Sequence, residues 1–150
     1  MRAVIQRVTE ARVRVGDRLA GEIARGLLVL VGIGQDDGPD DARYVAGKIR
    51  DARIFEGGAG KPMDRSVVDV GGAVLVVSQF TLYGDIRKGR RPAFDAAAPP
   101  DRARALYEDL VRELRAVPLP VATGQFQAMM RVELVNDGPV TILIDSKKQF

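Results

Sequence analysis

The fold is decided by the stretch Leu134-Val135-Asn136-Asp137-Gly138-Pro139-Val140-Thr141, near the C-terminus. Apolar and polar residues alternate on both sides of it, over residues 130–135 and 140–144. Such alternation is typical of β-strands, and the residues between the two segments are turn formers. We therefore predict a β-hairpin here, with a tight Asn-Asp-Gly-Pro connection.

Pro139 is an unusual residue for an ordinary hairpin turn. Proline has no N–H to donate to a neighbouring strand, and the bond before it adopts the cis form at a cost of only about 0.5–1 kcal/mol. Two interpretations are open. One is a turn with a proline at a strand edge, and the other is a Gly138-Pro139 pair that holds an unusual backbone shape for a functional reason.

Length and composition favour one compact domain. The chain has 150 residues, 46% of them hydrophobic, which is enough to bury a core without disulfides or metals. We expect a single domain over residues 1–150. The segment Met1 to Arg7 loses its apolar character too early for a signal peptide, and no apolar run approaches the roughly 20 residues that span a bilayer. We therefore expect a soluble, cytoplasmic protein with no membrane partner.

Cysteine and histidine are both absent. The lack of cysteine excludes disulfides, thiolate nucleophiles and Cys-ligated zinc. The lack of histidine removes the usual general base near neutral pH, the Ser–His relay and the commonest metal ligand. We expect neither a metal nor a cofactor. Catalysis must then use a carboxylate, a lysine, backbone N–H groups or a group on the substrate.

Other apolar segments predict an α/β fold. Residues 4–15 alternate loosely and predict one or two strands, residues 19–23 predict a short return strand, and the continuous apolar run 27–33 predicts a buried strand. Together these three segments indicate a small antiparallel meander. A further buried strand is predicted over residues 73–77.

Two segments carry apolar residues at three- and four-residue steps, which predicts helices beginning near Pro39 and near Pro100. After the second helix, residues 118–121 indicate an extended edge segment.

Ser78-Gln79-Phe80-Thr81 follows directly on the predicted strand 73–77. Polar side chains at the end of a rigid apolar strand are well held for chemistry. The alternative is a strand that simply ends in solvent.

The cluster Arg87-Lys88-Gly89-Arg90-Arg91 concentrates positive charge in a chain of net charge +3. Basic clusters of this kind indicate a polyanionic partner. The alternative is an ordinary solvated loop.

Together, Ser78-Gln79-Phe80-Thr81 and the Asn136 to Thr141 stretch make the chain resemble the D-aminoacyl-tRNA deacylases. Further segments resemble the family in the expected order: Ile5-Gln6-Arg7-Val8, Gly26-Leu27-Leu28-Val29-Leu30, Gly89-Arg90-Arg91-Pro92-Ala93-Phe94, Pro100-Asp101-Arg102-Ala103 and Thr123-Gly124-Gln125-Phe126. The resemblance implies a compact α/β domain with a largely antiparallel, barrel-like sheet flanked by helices.

The resemblance also implies a homodimer with its active site at the subunit interface. There the Ser78 to Thr81 strand end of one subunit would face a cis Gly138-Pro139 bond of the other, and Arg7 would hold the Gly-Pro carbonyls in orientation. The expected catalytic residues are Ser78, Gln79 and Thr81. The expected substrate-binding residues are Arg7, Phe80, Phe126, Met130, Asn136, Gly138 and Pro139. The expected tRNA-binding residues are Arg87, Lys88, Arg90 and Arg91.

The implied activity is hydrolysis of the ester bond of D-aminoacyl-tRNA, and of glycyl-tRNA mischarged on tRNA-Ala. A rigid carbonyl can bind the substrate α-amino group while excluding an L side chain, and a backbone N–H near Phe80 or Thr81 can stabilise the oxyanion. Two sources of activation stay open: the 2′-hydroxyl of the terminal tRNA adenosine, and Thr81 as a covalent nucleophile. The alternative function is a tRNA-binding module without catalysis. DNA is not an expected partner.

Overall fold

The computed structural model describes residues 1–150, which form six strands and two α-helices. In chain order these are β1 (Arg2–Val15), β2 (Arg18–Ile23), β3 (Gly26–Gly32), α1 (Pro39–Asp51), β4 (Ala73–Ser78), α2 (Pro100–Arg115), β5 (Val121–Thr123) and β6 (Arg131–Asp145). Two short 3-10 turns lie at Gly58–Gly60 and Phe80–Tyr83. Neither α-helix is long and apolar enough to cross a membrane.

The 14-residue strand β1 organises the sheet. Strands β2, β3 and β6 all pair with it antiparallel, while β3 pairs parallel with β4 and β4 parallel with β5. Helices α1 and α2 provide the two crossovers that parallel neighbours require. The carbonyl of Thr123 in β5 lies within 2.5 Å of the position that a Cβ on Gly21 of β2 would occupy, so the sheet curls into a nearly closed barrel. The predicted α/β class with a barrel-like sheet is confirmed.

The predicted C-terminal hairpin is wrong. Residues 131–145 form one strand, β6, and both of its halves pair with β1. Asn136 lies opposite Val8 and Thr141 opposite Gln6, so residues 137–140 bulge out opposite Arg7. Because β1 is long enough to pair with both halves, the chain has no need to fold back on itself. Alternation on either side of an insertion looks the same for a hairpin and for a bulged strand.

The predicted N-terminal meander also differs from the structure. A meander would place β2 between β1 and β3, but β2 and β3 pair with different halves of β1 and not with each other. The predicted extended segment at 118–121 leads into the short strand β5, which pairs with β4 rather than ending the domain as an isolated edge segment.

The two faces of the sheet are covered differently. On one face, apolar side chains of β1, β3 and β4 pack against α1 and α2, with Val45, Ile49 and Leu110 fully buried. On the other face a smaller core contains no helix residue and lies at one end of β1. At the opposite end of this second face Leu143 is 58% exposed. Half of this face is therefore open.

Candidate functional site

Strand β4 delivers the first part of the site at its C-terminal end. Its side chains alternate, with Val74 and Val76 in the helix-side core and Leu75 and Val77 in the second core. Ser78, half-buried, ends the strand. The backbone N–H of Gln79 donates to the carbonyl of Val31 over 2.7 Å, which fixes the chain as it leaves the sheet.

The turn that follows presents hydrogen-bond donors to solvent. The side-chain amide of Gln79 donates to Oγ1 of Thr81, and both Phe80 and Thr81 are exposed. Within the turn, N–H groups of Leu82 and Gly84 donate back to the carbonyls of Gln79 and Thr81. The N–H groups of Phe80 and Thr81 precede these internal bonds and have no partner, as is usual at the start of a helical turn. Two free backbone donors thus lie side by side at the end of β4.

No protein base accompanies these donors. The hydroxyl of Thr81 contacts the Gln79 amide, which is a donor and cannot accept a proton. The nearest carboxylate along the chain is Asp85, which binds Arg87 through two guanidinium nitrogens at 2.6 to 3.1 Å. These bonds, with one from the Arg87 backbone N–H, lower the pKa of Asp85 to about 2. A carboxylate of that pKa is a poor general base near neutral pH.

The second part of the site is the bulge at residues 137–140 of β6. The Gly138-Pro139 bond is cis, and both residues are exposed. The Asn136 side chain closes the bulge at its base: Oδ1 accepts the N–H of Val140 at 2.8 Å, and Nδ2 donates to the Val140 carbonyl at 3.1 Å. The Asn136 side chain thus replaces the ladder hydrogen bonds that the bulge interrupts, because both of these bonds are to the main chain of Val140.

Gly138 is required by the shape of the bulge. Its φ is +154°, and a Cβ there would lie 2.6 Å from the backbone nitrogen of Val140. Real Cβ contacts are never that short, so any side chain at this position would displace the bulge.

Arg7 supports the bulge from β1, but not through the predicted contacts. Its Nε donates to the carbonyl of Asp137 at 2.8 Å, and Nη1 donates to the carbonyl of Ile54 at 2.6 Å. We expected Arg7 to hold the Gly138 and Pro139 carbonyls. Instead it fixes the peptide immediately before them, and no side chain donates to the Gly138 or Pro139 carbonyl.

The two parts of the site are far apart within one chain. Arg7, opposite the bulge, is level with Leu27 and Val74, whereas Ser78 is level with Val31, four residues further along the parallel strands. Three inter-strand steps also separate β6 from β4. With ~4.8 Å per strand and ~3.3 Å per residue, the distance along the sheet is about 20 Å. Measured along the sheet, the bulge and the strand end of one chain are therefore well separated.

Phe126 and Met130 lie on opposite faces of the sheet. The Phe126 ring packs on Tyr107 of α2 with centroids 5.8 Å apart, and the Arg104 guanidinium lies 4.6 Å over it. Met130 packs partly buried against the second core, and its Sδ lies 2.7 Å from the position of a Cβ on Gly124. Both residues were predicted to bind the substrate, and this stays a prediction.

The basic residues lie on a loop that continues directly from the strand end. Paired backbone hydrogen bonds between Asp85 and Ala93 close this loop. Phe94 then packs edge-on against Phe80, with ring centroids 4.9 Å apart. Arg87 is held by Asp85. The remaining cations are exposed and make no ion pair or hydrogen bond: Lys88, Arg90 and Arg91.

Two residues near the site were not found from the sequence. Asp85 neutralises Arg87. The spacing of two residues between an acidic residue and an arginine could have indicated this ion pair from the sequence. Tyr83, the last residue of the 3-10 turn, is inserted beside Asp37, with its hydroxyl 3.5 Å from Oδ2. Burial and then the Asp37 charge raise the pKa of the Tyr83 hydroxyl, so it stays protonated at neutral pH. No local pattern marks this contact.

Comparison with known proteins agrees with this fold. A protein of Koribacter versatilis named D-aminoacyl-tRNA deacylase is 65% identical over the full length of both chains. A solved structure of the c-Myc DNA Unwinding Element Binding Protein superposes with a TM-score of 0.91 at 40% identity, covering 97% of this chain and 98% of the other. A second structure, described as a probable eukaryotic D-amino acid tRNA deacylase, has the same fold, with a TM-score of 0.83 at 19% identity over 95% and 97% of the two chains.

These relatives place the chain among enzymes, in the class of hydrolases that act on ester bonds. More specifically, the sequence profile described as D-Tyr-tRNA(Tyr) deacylase matches residues 4–145. The chain belongs to the D-Tyr-tRNA(Tyr) deacylase family, and the predicted family resemblance is confirmed.

Proposed function

We propose that this protein hydrolyses the ester bond of D-aminoacyl-tRNA, releasing the free D-amino acid and tRNA. The observation that carries the proposal is the pair of unpartnered N–H groups at Phe80 and Thr81, in a chain 65% identical to a protein named D-aminoacyl-tRNA deacylase. Donors of this kind stabilise the oxyanion that forms when water attacks an ester carbonyl. Such a substrate is cytoplasmic, and so, we propose, is the protein.

The proposed active unit is a homodimer in which each site is shared between subunits. The distance of about 20 Å between the bulge and the strand end within one chain supports this arrangement. So does the open half of the second sheet face, where Leu143 is exposed beside the Gln6–Thr141 side-chain hydrogen bond of 3.2 Å. A second copy that covers this face would bring its own bulge toward the strand end of the first.

In this arrangement the bulge reads the chirality of the substrate. Gly138 and Pro139 are exposed and no side chain donates to their carbonyls, so we propose that these carbonyls accept hydrogen bonds from the substrate α-ammonium group. A carbonyl is rigid, and it fills the space into which an L side chain would project. A D side chain points away from it, and glycine has no side chain to exclude. Glycyl-tRNA mischarged on tRNA-Ala is therefore a further substrate in this proposal.

Hydrolysis then needs little from protein side chains. Water attacks the ester carbonyl, the N–H groups of Phe80 and Thr81 hold the developing oxyanion, and the 3′-oxygen of the tRNA leaves with a proton. One such donor typically contributes about 2.7–4 kcal/mol to lowering the barrier. With Thr81 bound to an amide and no base beside it, we propose that the 2′-hydroxyl of the terminal adenosine assists the attack. A covalent role for Thr81 is the competing route.

The exposed loop at 87–91 is the proposed contact for the tRNA backbone. Three of its cations have no protein partner, and Phe94 packs the loop onto Phe80 of the strand end. Phosphates bound by Lys88, Arg90 and Arg91 would thus lie next to the reacting ester.

The test measures hydrolysis of D-tyrosyl-, L-tyrosyl- and glycyl-tRNA in parallel, together with D-tyrosyl-tRNA that ends in 2′-deoxyadenosine. We expect turnover of the D and glycyl esters, little of the L ester, and a large loss for the 2′-deoxy substrate. Comparable turnover of the L ester would contradict the chirality argument. Full activity on the 2′-deoxy substrate, with loss of activity in Thr81→Ala, would favour the covalent route.

A second candidate function is nucleic-acid binding without catalysis. The three unpaired cations favour it, and one structural relative is named for binding a DNA element. It predicts tight tRNA or DNA binding that weakens steeply with salt, with no ester cleavage at stoichiometric protein. Cleavage of D-tyrosyl-tRNA at catalytic protein would exclude it.

A further inference from the structure

The 3-10 turn Phe80–Tyr83 is pressed against the end of β3, where the sequence provides two glycines. A Cβ on Gly32 would lie 2.9 Å from the Gln79 carbonyl oxygen and 3.1 Å from Cβ of Leu82. A Cβ on Gly34 would lie 2.8 Å from the Tyr83 hydroxyl oxygen. A larger residue at Gly32 would push the turn away from the sheet, and one at Gly34 would displace the Tyr83 ring.

Tyr83 anchors the inner end of this turn. Its ring stacks under the Arg2 guanidinium at 4.6 Å, and its hydroxyl lies 3.5 Å from the Asp37 carboxylate. Asp37 is itself only 2% exposed and accepts the N–H of Gly34 at 2.6 Å. The Tyr83 hydroxyl therefore contacts a buried acceptor, the Asp37 carboxylate, which is itself held in place.

Arg2 holds the same turn by its backbone. Its Nη1 donates to the Leu82 carbonyl at 3.2 Å. Thr81 directly precedes Leu82, and its N–H is one of the two free donors. Arg2 and Tyr83 thus fix both the main chain and the last side chain of the turn, while Phe80 and Thr81 remain exposed.

We propose that Tyr83 and Arg2 are positioning residues for catalysis, which hold the N–H groups of Phe80 and Thr81 in the geometry that stabilises the oxyanion. This inference rests on the proposed function. Neither residue touches the substrate. Their effect comes from fixing the four-residue turn, since oxyanion donors act only when they are held within about 0.5 Å of the right place.

The experiment compares Gly34→Ala with Gly47→Ala in the full-length protein. Gly47, on α1, has open space around the position of a Cβ, so its substitution is the matched control. Gly34→Ala should displace Tyr83 and lower kcat for D-tyrosyl-tRNA by about 10- to 100-fold, with KM within about twofold of the wild type, because misplaced donors affect the transition state more than binding. Gly47→Ala should keep wild-type kcat.

Arg2→Met provides an independent variant, and Arg131→Met is its control. Arg131 makes the same kind of bond, from Nη2 to the Gly16 carbonyl at 3.0 Å, at the far end of the molecule. We expect Arg2→Met to lower kcat with KM unchanged. We expect Arg131→Met to keep the wild-type kcat and KM. Tyr83→Phe, which loses the hydroxyl contact with Asp37, should likewise lower kcat with KM unchanged.

Thermal unfolding of every variant separates positioning from stability. A lowered kcat at an unchanged melting temperature supports the proposal. The proposal is overturned if Gly34→Ala and Arg2→Met both keep wild-type kcat, or if activity falls only in proportion to the loss of folded protein. Wild-type hydrolysis of D-tyrosyl-tRNA is measured in the same assay, so a failure of the proposed function is recognised separately by an inactive wild type.

Discussion

The strand end at residues 78–81 and the bulge at residues 137–140 differ in the backbone groups that they present and in the contacts that hold them in place. The strand end presents backbone donors, the N–H groups of Phe80 and Thr81, and it is held by its own main-chain bonds together with contacts from Arg2 and Tyr83. The bulge presents backbone acceptors, the carbonyls of Gly138 and Pro139, and side chains of Asn136 and Arg7 shape it. Each is half of what an aminoacyl ester needs, since the ester has a carbonyl oxygen that accepts charge and an ammonium group that donates.

In the proposed arrangement, a chain without histidine builds a hydrolytic site from these two elements. Both halves use the main chain, which has no titratable group, and side chains only hold the main chain in place. The largest expected effects of substitution therefore come from changes to the backbone.

Phe80→Pro should produce the largest effect, because proline removes one of the two free N–H groups. The backbone of Gln79, at φ −144° and ψ 80°, lies outside the α region that a following proline disfavours. Phe80→Ala is the matched variant that keeps the N–H and loses the same ring. We expect kcat of Phe80→Pro to be about 100- to 1000-fold below that of Phe80→Ala, which is the usual cost of one oxyanion donor. Equal kcat values in the two variants would mean that the Phe80 N–H does not contact the oxyanion.

Gly138→Ala should produce the next largest effect, because a Cβ would lie 2.6 Å from the Val140 nitrogen. Displacing the bulge should lower kcat/KM for D-tyrosyl-tRNA by about 100-fold, as expected for a shift of about 1 Å in a positioning element. It should also reduce the preference for the D over the L ester. Gly58→Ala, with no atom near the position of its Cβ, is the control. A Gly138→Ala variant that keeps both rate and preference, in an intact dimer, would remove the bulge from the site.

The basic loop should give smaller effects, and unequal ones. Arg90→Gln should raise KM for tRNA severalfold and reduce the slope of log affinity against log salt by roughly 0.7–0.9, as expected for one lost phosphate contact. Arg87→Gln should have a smaller effect, because Asp85 already neutralises Arg87. Binding is measured by salt titration with uncharged tRNA. An equal or larger effect of Arg87→Gln would show that the Asp85–Arg87 pair opens when tRNA binds.

The smallest expected effect is that of pH near neutrality. The chain has no histidine, Asp85 has a pKa of about 2, and burial raises the pKa of Tyr83. Asp85 thus stays ionised, and its hold on Arg87 weakens only as the pH falls from about 4 toward 2. Between about pH 6 and 8 the rate profile, corrected for spontaneous ester hydrolysis, should show no inflection from a protein group. An inflection near 6.5 would require a base that we have not identified.

The sequence predicted the strand end better than the bulge, for a physical reason. Residues 73–77 are a buried apolar run, and the polar residues after it mark where the strand leaves the core. The bulge was interpreted as a hairpin, because alternation in 130–144 does not show which strand lies alongside. Only the length of β1, which pairs with both halves of β6, decides between the two.

Contacts made across the fold could not be predicted at all. Tyr83 reaches Asp37 across a gap that Gly34 leaves open, and no local spacing indicates that approach. Arg7 was correctly associated with the Gly138-Pro139 element, but the carbonyl it binds is that of Asp137. The family resemblance predicted the site residues, whereas the bonds that they make required the structure.

The central claim is that each site combines the strand end of one subunit with the bulge of the other. It is tested most directly by mixing two inactive proteins, Phe80→Pro and Gly138→Ala, under conditions in which subunits exchange. In a heterodimer with shared sites, one site carries both defects and the other carries neither. A shared site thus predicts that the mixture regains activity on D-tyrosyl-tRNA, approaching half of the wild-type rate per heterodimer. If subunits exchange and activity does not return, each site lies within a single chain and the claim is contradicted.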